Sequence, residues 1–409
     1  MGVCARLDGT MEILPLTTPV YAKVRVPGSK SYTNRALIMA ALTKGPVCLK
    51  NPLYSEDTEA MIGCLRGLGL RVETEDQIVV QDDVGTIQEG RYELFARDSG
   101  TTARFMLPLL CVVPGVKILR GSQRLNERPI HDLVEALRSL GAEIAYLRKE
   151  GELPVRVTSS SLRGGGVELK GDLSSQFCSA LLLVAPALAE GLRIHLQGPL
   201  VSMPYVDMTA AFMREAGVEV SGEYRVPPLQ RYQKKQYEIE GDFSSAGYFF
   251  AIAKLTKSTI TVENLNPNSL QADRQFLGVL EKMGTGIAAL DVNMEDCPDQ
   301  VMTLAVLAAF AKGVTRISGV RSLRVKETER VVALKTELGK MGIRTEDTHD
   351  TLTIYGGEPR AAEINTYGDH RIAMAFAVAG MRLPGMVIRH PEVVRKTFPN
   401  FWDVLRGLA

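Results

Sequence analysis

The sequence holds few of the residues that redox and metal sites need. Its 409 residues include one tryptophan, five scattered histidines and six cysteines. The cysteines form no CxxC pair and show no Cys/His spacing typical of zinc sites, so neither a metal nor a cofactor is expected. Cys111 and Cys178 lie in apolar runs, as small buried thiols do, and this pattern favours a reducing, cytoplasmic environment.

Long apolar runs and an excess of one charge are also missing. The longest apolar stretches, 177–189 and 302–311, fall short of the ~18 residues that span a bilayer. The start of the chain has no signal-peptide core, and Arg6 stands where a myristoylation motif needs Ser or Thr. A net charge of +1 provides no general attraction for nucleic acid or an acidic membrane. We therefore expect no nucleic-acid or membrane partners. A monomer is also expected.

Short polar clusters do occur, each set against an apolar helical run. They are Pro-Gly-Ser-Lys-Ser at 27–31, Asp-Ser-Gly-Thr-Thr at 98–102, Ser-Ser-Gln at 174–176, Lys-Glu-Thr-Glu-Arg at 326–330 and Asp-His-Arg at 369–371. The first cluster lacks the leading glycine of a P-loop. Cations mixed with a few carboxylates at helix starts predict a site for anionic substrates with acid–base chemistry.

Two of these clusters allow different interpretations. Lys326 and Arg330 are spaced i, i+4, which predicts one helical face with Glu327 beside them. The alternative is a solvated, salt-bridged surface. Residues 369–371 favour function more strongly, because the apolar segment 372–380 that follows them must be buried.

A repeat runs through the chain. Helical periodicity ends several times in a Leu- or Met-rich turn followed by a glycine that suits a left-handed position, at Gly69, Gly141, Gly217, Gly284 and Gly342. Strand-like segments follow four of them, at 70–73, 142–146, 218–220 and 343–345. A sixth copy, 404–407, ends the chain, and strands at 12–16 and 23–26 could complete it. The pattern predicts about six α/β units with both termini in one domain, although such helix endings are common by themselves.

The clusters together resemble the 5-enolpyruvylshikimate-3-phosphate (EPSP) synthase family of enolpyruvyl transferases. The matching motifs cover nearly the whole chain in the family's order: Pro27-Gly-Ser-Lys-Ser-x-x-Asn-Arg35, Asp98-Ser-Gly-Thr-Thr-x-x-Arg104, Arg124-x-x-x-Arg128-Pro129, Leu173-Ser-Ser-Gln176, Ser202-x-Pro-Tyr-Val-Asp207, Pro298-Asp299, Arg324-Val-Lys-Glu-Thr-Glu-Arg330, Asp369-His-Arg371 and Lys396-Thr-Phe. The resemblance implies a two-domain inside-out α/β barrel, each domain made of three βαβαββ repeats, around a central cleft that holds the active site. One domain would comprise 1–27 and 241–409, and the other 28–240.

The resemblance also implies a reaction, in which shikimate 3-phosphate and phosphoenolpyruvate give an enolpyruvyl ether and phosphate. Asp299 and Glu327 would be the base and the acid, with Lys30 and His370 grouped beside them as catalytic residues. The residues implied for shikimate 3-phosphate are Lys30, Ser31, Arg35, Ser174, Ser175, Gln176, Ser202, Asp299, Ser322 and Lys326. Those implied for phosphoenolpyruvate are Lys30, Asp98, Gly100, Arg124, Gln176, Arg330, Arg371 and Lys396.

The chain departs from the family at three positions. Asp98 and Ser322 stand where the family usually has asparagine, and Phe105 replaces a proline. The departures put affinity and the response to glyphosate, a competitor of phosphoenolpyruvate in this family, in doubt more than the reaction type. Charge supports the resemblance: eight cations in the motifs, against Asp299 and Glu327, would balance substrates carrying roughly −5 to −6.

Two rival interpretations remain. One is a UDP-N-acetylglucosamine 1-carboxyvinyltransferase-like enzyme, but that sister family has a reactive cysteine five residues before its Arg-Pro pair, where this chain has Gln123. The other is a catalytically silent anion-binding paralogue, which the presence of Lys30, Asp299 and Glu327 disfavours.

Overall fold

The strands are short and spread along the whole chain. A computed structural model of the protein describes residues 4–7, 9–170, 174–198, 202–222 and 224–408. The strands in these ranges are β1 (Cys4–Leu7), β2 (Thr10–Ile13), β3 (Tyr21–Val24), β4 (Val47–Lys50), β5 (Val72–Thr74), β6 (Ile78–Val80), β7 (Arg91–Phe95), β8 (Val116–Arg120), β9 (Ile144–Tyr146), β10 (Val155–Val157), β11 (Gly165–Lys170), β12 (Leu192–Gln197), β13 (Arg225–Val226), β14 (Gln236–Glu238), β15 (Thr259–Val262), β16 (Asp291–Asn293), β17 (Gly313–Ser318), β18 (Arg344–Asp347), β19 (Thr351–Gly356), β20 (Glu363–Ile364) and β21 (Met386–Arg389).

Helices alternate with these strands, which confirms the mixed α/β class. They are α1 (Lys30–Ala41), α2 (Glu56–Gly67), α3 (Gly100–Leu110), α4 (Gln123–Asn126), α5 (His131–Ser139), α6 (Ser175–Val184), α7 (Met203–Glu215), α8 (Phe243–Thr256), α9 (Phe276–Lys282), α10 (Val301–Ala309), α11 (Arg330–Lys340), α12 (His370–Gly380) and α13 (Phe401–Arg406). Short 3-10 turns join several of them, including Pro298–Gln300, Arg321–Val325 and Pro391–Lys396.

The chain divides into two compact units. The terminal unit comprises Met1–Pro27 and Gly241–Ala409, and the central unit comprises Gly28–Glu240. Each unit has its own hydrophobic core in the described residues, and no residue is shared between the two cores. Because each unit has a hydrophobic core of its own, each is treated as a separate domain.

Within the described residues, each unit contains three sheets, and each sheet contains one parallel pair of strands. The central unit has the orders β14-β4-β6-β5, β7-β8-β10-β9 and β11-β12-β13, and the terminal unit has β1-β2-β21-β20, β15-β3 and β16-β17-β19-β18. Parallel strands need a crossover, and a helix provides it between β7 and β8, β11 and β12, β16 and β17, and β20 and β21.

The remaining two crossover helices lie at the places where the chain leaves one unit and enters the other. Helix α1 joins β3 to β4, and α8 joins β14 to β15. The two strands that flank each of these helices do not pair with each other. Instead, β3 pairs in parallel with β15, and β4 pairs in parallel with β14. Each unit thus completes a sheet with strands that are more than 180 residues apart in the sequence.

The structure confirms the predicted left-handed glycines and corrects other parts of the repeat. All five glycines that follow helices have φ between +71° and +98°, whereas Gly407 has φ −70°. The N-terminal strands complete the sixth unit only in part: β2 pairs with β21, but β3, predicted at 23–26, pairs with β15. Residues 218–220 are not a strand, because the Glu219 N–H bonds the Gln230 side chain instead of a neighbouring strand.

Three crossover helices pack against one another inside each unit: α1, α3 and α6 in the central unit, and α8, α10 and α12 in the terminal unit. Nearly all of their residues are buried, as the apolar sequences predicted. Buried helices leave only their ends accessible, and four of the five polar clusters lie at or just before the first turns of α1, α3, α6 and α12. The fifth, 326–330, leads into α11.

Candidate active site

Arg330 lies at the centre of a charged cluster in the terminal unit. It begins α11, and its Nε and Nη2 donate to the Asp369 carboxylate at 2.7 and 3.2 Å. Its Nη1 lies 3.2 Å from Asp299 and its Nη2 lies 2.9 Å from Glu327. A single guanidinium therefore links three carboxylates that come from separate parts of the sequence.

Burial makes this arrangement costly unless the charges are paired. The Arg330 side chain is 1 % exposed and the Asp369 side chain is fully buried. Burial alone would lower the pKa of Arg330, but the carboxylates of Asp369, Glu327 and Asp299 raise that pKa above its ordinary value. Arg330 consequently stays positively charged despite its burial.

Asp299 is held by two arginines. It lies in the turn Pro298–Gln300 before α10, and its two oxygens accept from Arg330 Nη1 at 3.2 Å and Arg371 Nη2 at 2.7 Å. Arg371 is itself buried, and its Nη1 is 3.4 Å from the Tyr248 hydroxyl. Burial lowers the pKa of Arg371, but Asp299 and the other neighbouring acidic groups raise it well above its ordinary value.

Glu327 contacts a different pair of cations. Its Oε2 is 2.9 Å from Arg330 Nη2, and its Oε1 is 3.5 Å from Lys396 Nζ. The predicted helical face with Lys326 and Arg330 is wrong, because residues 326–329 form an irregular bend and α11 begins only at Arg330. Glu329 accounts for this boundary: its carboxylate accepts the Val332 N–H as the helix N-cap.

The cluster at 369–371 opens α12 as predicted. Asp369 is the N-cap and accepts the Arg371 N–H at 2.9 Å. The His370 ring is 1 % exposed, with Nδ1 3.6 Å from Asp369. Ser322 is half-buried in the turn Arg321–Val325.

Helix α1 carries the first cluster of the central unit. Lys30 begins the helix, and its Nζ lies 3.3 Å from the buried Asp57 carboxylate. Arg35, one turn later, donates to Thr209 Oγ1 at 2.7 Å and to the Ser31 carbonyl at 2.9 Å. Burial lowers the pKa of Arg35 to about 10.

Phe105 has a clear place beside this arginine. Its ring centroid lies 5.3 Å from the Arg35 guanidinium carbon, and the side chain is buried within α3. An aromatic face stabilises a desolvated cation. The departure from the family's proline therefore supports Arg35 and does not disturb the start of the helix, which begins at Gly100.

The start of α3 combines a glycine with several arginines. A Cβ built on Gly100 would lie 2.6 Å from Arg128 Nη1 and 3.0 Å from Arg104 Nη1, so the glycine is needed for close packing. Arg104 donates to the Gly100 carbonyl at 3.1 Å. Asp98, which is exposed, accepts from the Ser122 hydroxyl, and Arg124 pairs with Glu127 at 3.6 Å.

The serine cluster opens α6, although Leu173 of that motif lies outside the described residues. Ser174 is the N-cap and accepts the Gln176 N–H at 3.2 Å, while Ser175 is buried. Gln176 Nε2 is 3.4 Å from Thr101 Oγ1 on α3, so these two helix starts are in contact. Ser202 is buried before α7 and has φ +54°.

Comparison with known proteins identifies the family. The profile of EPSP synthase (3-phosphoshikimate 1-carboxyvinyltransferase) matches residues 16–405. The chain belongs to the EPSP synthase family. Proteins named 3-phosphoshikimate 1-carboxyvinyltransferase from Nostoc punctiforme and Shewanella halifaxensis are 40 % and 39 % identical to it, covering 96 % and 95 % of this chain and 97 % of each relative.

Solved structures agree on the fold. An EPSP synthase from Acinetobacter baumannii superposes with a TM-score of 0.82 at 23 % identity, covering 98 % of this chain and 99 % of that one. In the described part of the chain, no helix is both long and apolar enough to cross a membrane. No group of three or more acidic, histidine or cysteine side chains in the same residues has the geometry to hold a metal ion.

Some charged residues around the family's motifs were not predicted to take part in the site. Asp57 pairs with Lys30, Glu127 pairs with Arg124, and Asp369 pairs with Arg330. These three carboxylates add to Asp299 and Glu327, the two that the charge argument counted. Asp369 belongs to the motif 369–371, which the sequence analysis had identified. The only sequence signal for Asp57 is that it is an acidic residue in the first turn of α2.

Tyr248 is a further residue that the sequence did not single out. It lies in the middle of the apolar helix α8, where an aromatic side chain is usually a core residue. Its ring packs against Phe401 at 5.9 Å, while its hydroxyl contacts Arg371. Burial raises the pKa of Tyr248 to about 12, so the hydroxyl stays neutral beside the arginine.

Proposed function

We propose that this chain transfers the enolpyruvyl group of phosphoenolpyruvate to the 5-hydroxyl of shikimate 3-phosphate and releases phosphate. Membership of the EPSP synthase family supports the reaction. The single observation that carries the chemistry is the Arg330 cluster, in which Asp299 and Glu327 bind the same guanidinium at 3.2 and 2.9 Å. Two carboxylates with different neighbours suit a reaction that removes one proton and adds another.

Asp299 is the proposed general base. Arg330 and Arg371 hold its two oxygens at 3.2 and 2.7 Å, which fixes the position of the carboxylate that would accept the proton. In the proposed step it takes the proton of the 5-hydroxyl while that oxygen bonds C2 of phosphoenolpyruvate. The oxygen pair forms the new C–O bond, and the electrons of the C2–C3 double bond move to C3.

Glu327 is the proposed acid that protonates C3. In the cluster it is next to Arg330 and Lys396, two cations that disfavour its protonated form. The phosphate or carboxylate of phosphoenolpyruvate, bound to those cations, would neutralise them and raise the proton affinity of Glu327. The acid would therefore be available only when the substrate is bound. The Glu327 carboxylate then takes a proton back from C3 as the C2–O bond to phosphate breaks, which restores the double bond, and the departing phosphate takes up the proton held by Asp299.

The other residues bind and orient the substrates in this proposal. Shikimate 3-phosphate would contact Lys30, Ser31, Arg35, Ser174, Ser175, Gln176, Ser202, Ser322 and Lys326. Phosphoenolpyruvate would contact Lys30, Gln176, Arg124, Arg330, Arg371, Lys396 and the loop with Asp98 and Gly100. The Lys30 side chain, which is 16 % exposed, and the Gln176–Thr101 contact support the first turns of α1, α3 and α6 as binding elements.

Phosphate release tests the reaction directly. With phosphoenolpyruvate and shikimate 3-phosphate together we expect steady release of inorganic phosphate, and none with either substrate alone. UDP-N-acetylglucosamine in place of shikimate 3-phosphate tests the sister activity, and turnover with that acceptor would contradict the proposal. Absence of turnover with both acceptors would favour the catalytically silent paralogue. We also propose a cytoplasmic monomer, which sedimentation of the purified chain would test.

A further inference from the structure

Gln300 is a buried polar residue next to the proposed base, and the proposed reaction does not yet use it. It ends the turn Pro298–Gln300 that carries Asp299, and it is fully buried. Its Nε2 donates to the carbonyls of Phe243 and Ser244, at 3.2 and 3.3 Å. Both carbonyls belong to the first turn of α8, so this amide joins the turn to a helix that is 56 and 57 residues away in the sequence.

Helix α8 has a glycine at the position where this glutamine packs. A Cβ built on Gly247 would lie 2.2 Å from Oε1 and 2.6 Å from Nε2 of Gln300. No side chain fits at position 247 while the amide keeps its two hydrogen bonds. A glycine inside a helix is less stable than an alanine, so the helix by itself would favour a different residue there.

The burial of the Gln300 amide also has a cost in hydrogen bonding. Its Oε1 is buried and accepts no hydrogen bond from the described residues. A buried acceptor without a donor is destabilising, and an apolar side chain of similar length would avoid that cost. Two unfavourable local choices at one contact are typical of a functional site and not of core packing.

Helix α8 reaches Asp299 by a second route, through Arg371. The hydroxyl of Tyr248, the residue after Gly247, lies 3.4 Å from Arg371 Nη1, and Arg371 Nη2 lies 2.7 Å from Asp299. The same helix thus contacts the turn that carries Asp299 and an arginine that holds its carboxylate. One contact acts on the backbone of Asp299 and the other on the end of its side chain.

We propose that Gln300 is a positioning residue for Asp299. Its amide holds the turn Pro298–Gln300 against the first turn of α8 and so fixes the backbone from which the carboxylate reaches Arg330 and Arg371. The inference rests on the proposed function, because it concerns the base of that reaction. Proton transfer depends closely on the distance between base and hydroxyl, so loss of the amide should slow the chemical step and leave substrate binding in place.

The first experiment measures Gln300→Met, which keeps the length of the side chain and removes the amide. We expect the single-turnover rate of product formation to fall about tenfold or more, since a misplacement of about 1 Å can cost about 10²-fold, with KM for both substrates little changed. Gln230→Met is the matched control, because the Gln230 Nε2 also donates to two carbonyls, those of Glu219 and Pro227, both at 3.3 Å. It should change neither the rate nor KM.

An unchanged rate in a folded Gln300→Met variant would overturn the proposal, and so would a higher KM at an unchanged rate. If Gln300→Met does not fold, Gly247→Ala decides in the same way. Its methyl group displaces the amide from the two carbonyls while it improves the helix propensity of α8.

The second experiment is a double-mutant cycle with Asp299→Asn. If Gln300 acts through Asp299, Gln300→Met should lower the single-turnover rate by about twofold or less in the Asp299→Asn background, against about tenfold or more in the wild type. A merely structural role predicts the same factor in both backgrounds, and that result would refute the proposal. An inactive wild type contradicts the proposed function, whereas an active wild type with equal factors contradicts only the role of Gln300.

Discussion

At the scale of single residues, the charged cluster of the terminal unit is organised by one arginine. Arg330 contacts Asp299, Glu327 and Asp369. Arg371 also contacts Asp299, and Lys396 also contacts Glu327. Breaking a buried pair by removing one partner leaves an uncompensated charge, which is more destabilising than the pair itself is stabilising. Mutations that keep the shape and alter only the proton chemistry are therefore the informative ones.

Asp299→Asn and Glu327→Gln retain size and hydrogen bonding to Arg330 but lose the charge. Each should lower kcat by at least about 10²-fold, the usual scale for a general acid or base, while shikimate 3-phosphate still binds. Rapid-quench measurement of product tests the expected fall in kcat, and thermal-shift measurement tests whether shikimate 3-phosphate still binds. Near-normal turnover in both variants would remove these carboxylates from the chemistry.

Tyr248→Phe removes only the hydroxyl that contacts Arg371. We expect KM for phosphoenolpyruvate to rise by about two- to tenfold, the effect of one neutral hydrogen bond, with kcat less affected. Tyr232→Phe is the matched control, since the Tyr232 hydroxyl is also buried and donates to the Leu183 carbonyl at 2.9 Å. It should reduce stability without changing KM. The same rise in KM in both variants would mean that Tyr248 acts only through stability.

At the scale of elements, α11 depends on charges supplied by its neighbours. Asp347 at the end of β18 accepts from Arg324 Nη2 at 2.7 Å and from Lys335 on α11. Arg324 in turn donates to Glu329, the N-cap of α11, at 2.9 Å. The hydrogen bonds from Lys335 and Arg324 lower the pKa of Asp347. The turn, the helix and the strand that flank Glu327 and Arg330 are thus held together by one carboxylate.

Asp347→Asn should lower the free energy of unfolding at pH 7 by about 1–3 kcal/mol, as for hydrogen bonds to charged groups. Because the folded pKa is lowered, this stability is complete above the ordinary aspartate pKa of about 3.9 and disappears as the pH falls through the folded value. Urea unfolding at pH 7 and below pH 4 should show the difference from wild type shrinking with acid. Asp403→Asn, an exposed i, i+3 pair on α13, should have little effect at either pH. A difference independent of pH would contradict the electrostatic explanation.

At the scale of the whole molecule, the two units have separate cores, and each unit pairs a strand beside one chain crossing with a strand beside the other. Strands β3 and β4 flank α1, which carries Lys30, Ser31 and Arg35, and each pairs with a strand from the other crossing. A ligand that binds the start of α1 therefore stabilises a helix that packs against α3 and α6 in the core of the central unit.

Shikimate 3-phosphate should accordingly raise the melting temperature of the wild-type chain. At a hundredfold excess over Kd the stabilisation is about 2.7 kcal/mol by mass action. Lys30→Ala should remove most of the rise, whereas Lys44→Ala, an exposed lysine just after α1, should retain it. Differential scanning fluorimetry checks all three proteins. A full rise in Lys30→Ala would contradict the placement of the ligand at α1.

The sequence by itself determined the features that depend on neighbouring residues. Apolar periodicity marked the buried helices, the glycines after them take the left-handed conformation that the pattern predicted, and Asp369 and Ser174 cap the helices that follow. These features follow from steric limits and hydrogen bonding within a few residues, which a single sequence contains. The ordered motifs also led to the correct family.

Only the tertiary structure decided which distant groups meet. Arg330 pairs with Asp369, which is 39 residues away in the sequence, and Lys30 pairs with Asp57. Arg128 packs on Gly100. Strand β3 pairs with β15 and not with the N-terminal strands. Residues 218–220 keep the alternating burial of a strand but lack a strand partner in the described chain, because side chains bond their backbone instead. Such pairings depend on packing and charge compensation across the whole fold, and local propensity carries no information about them.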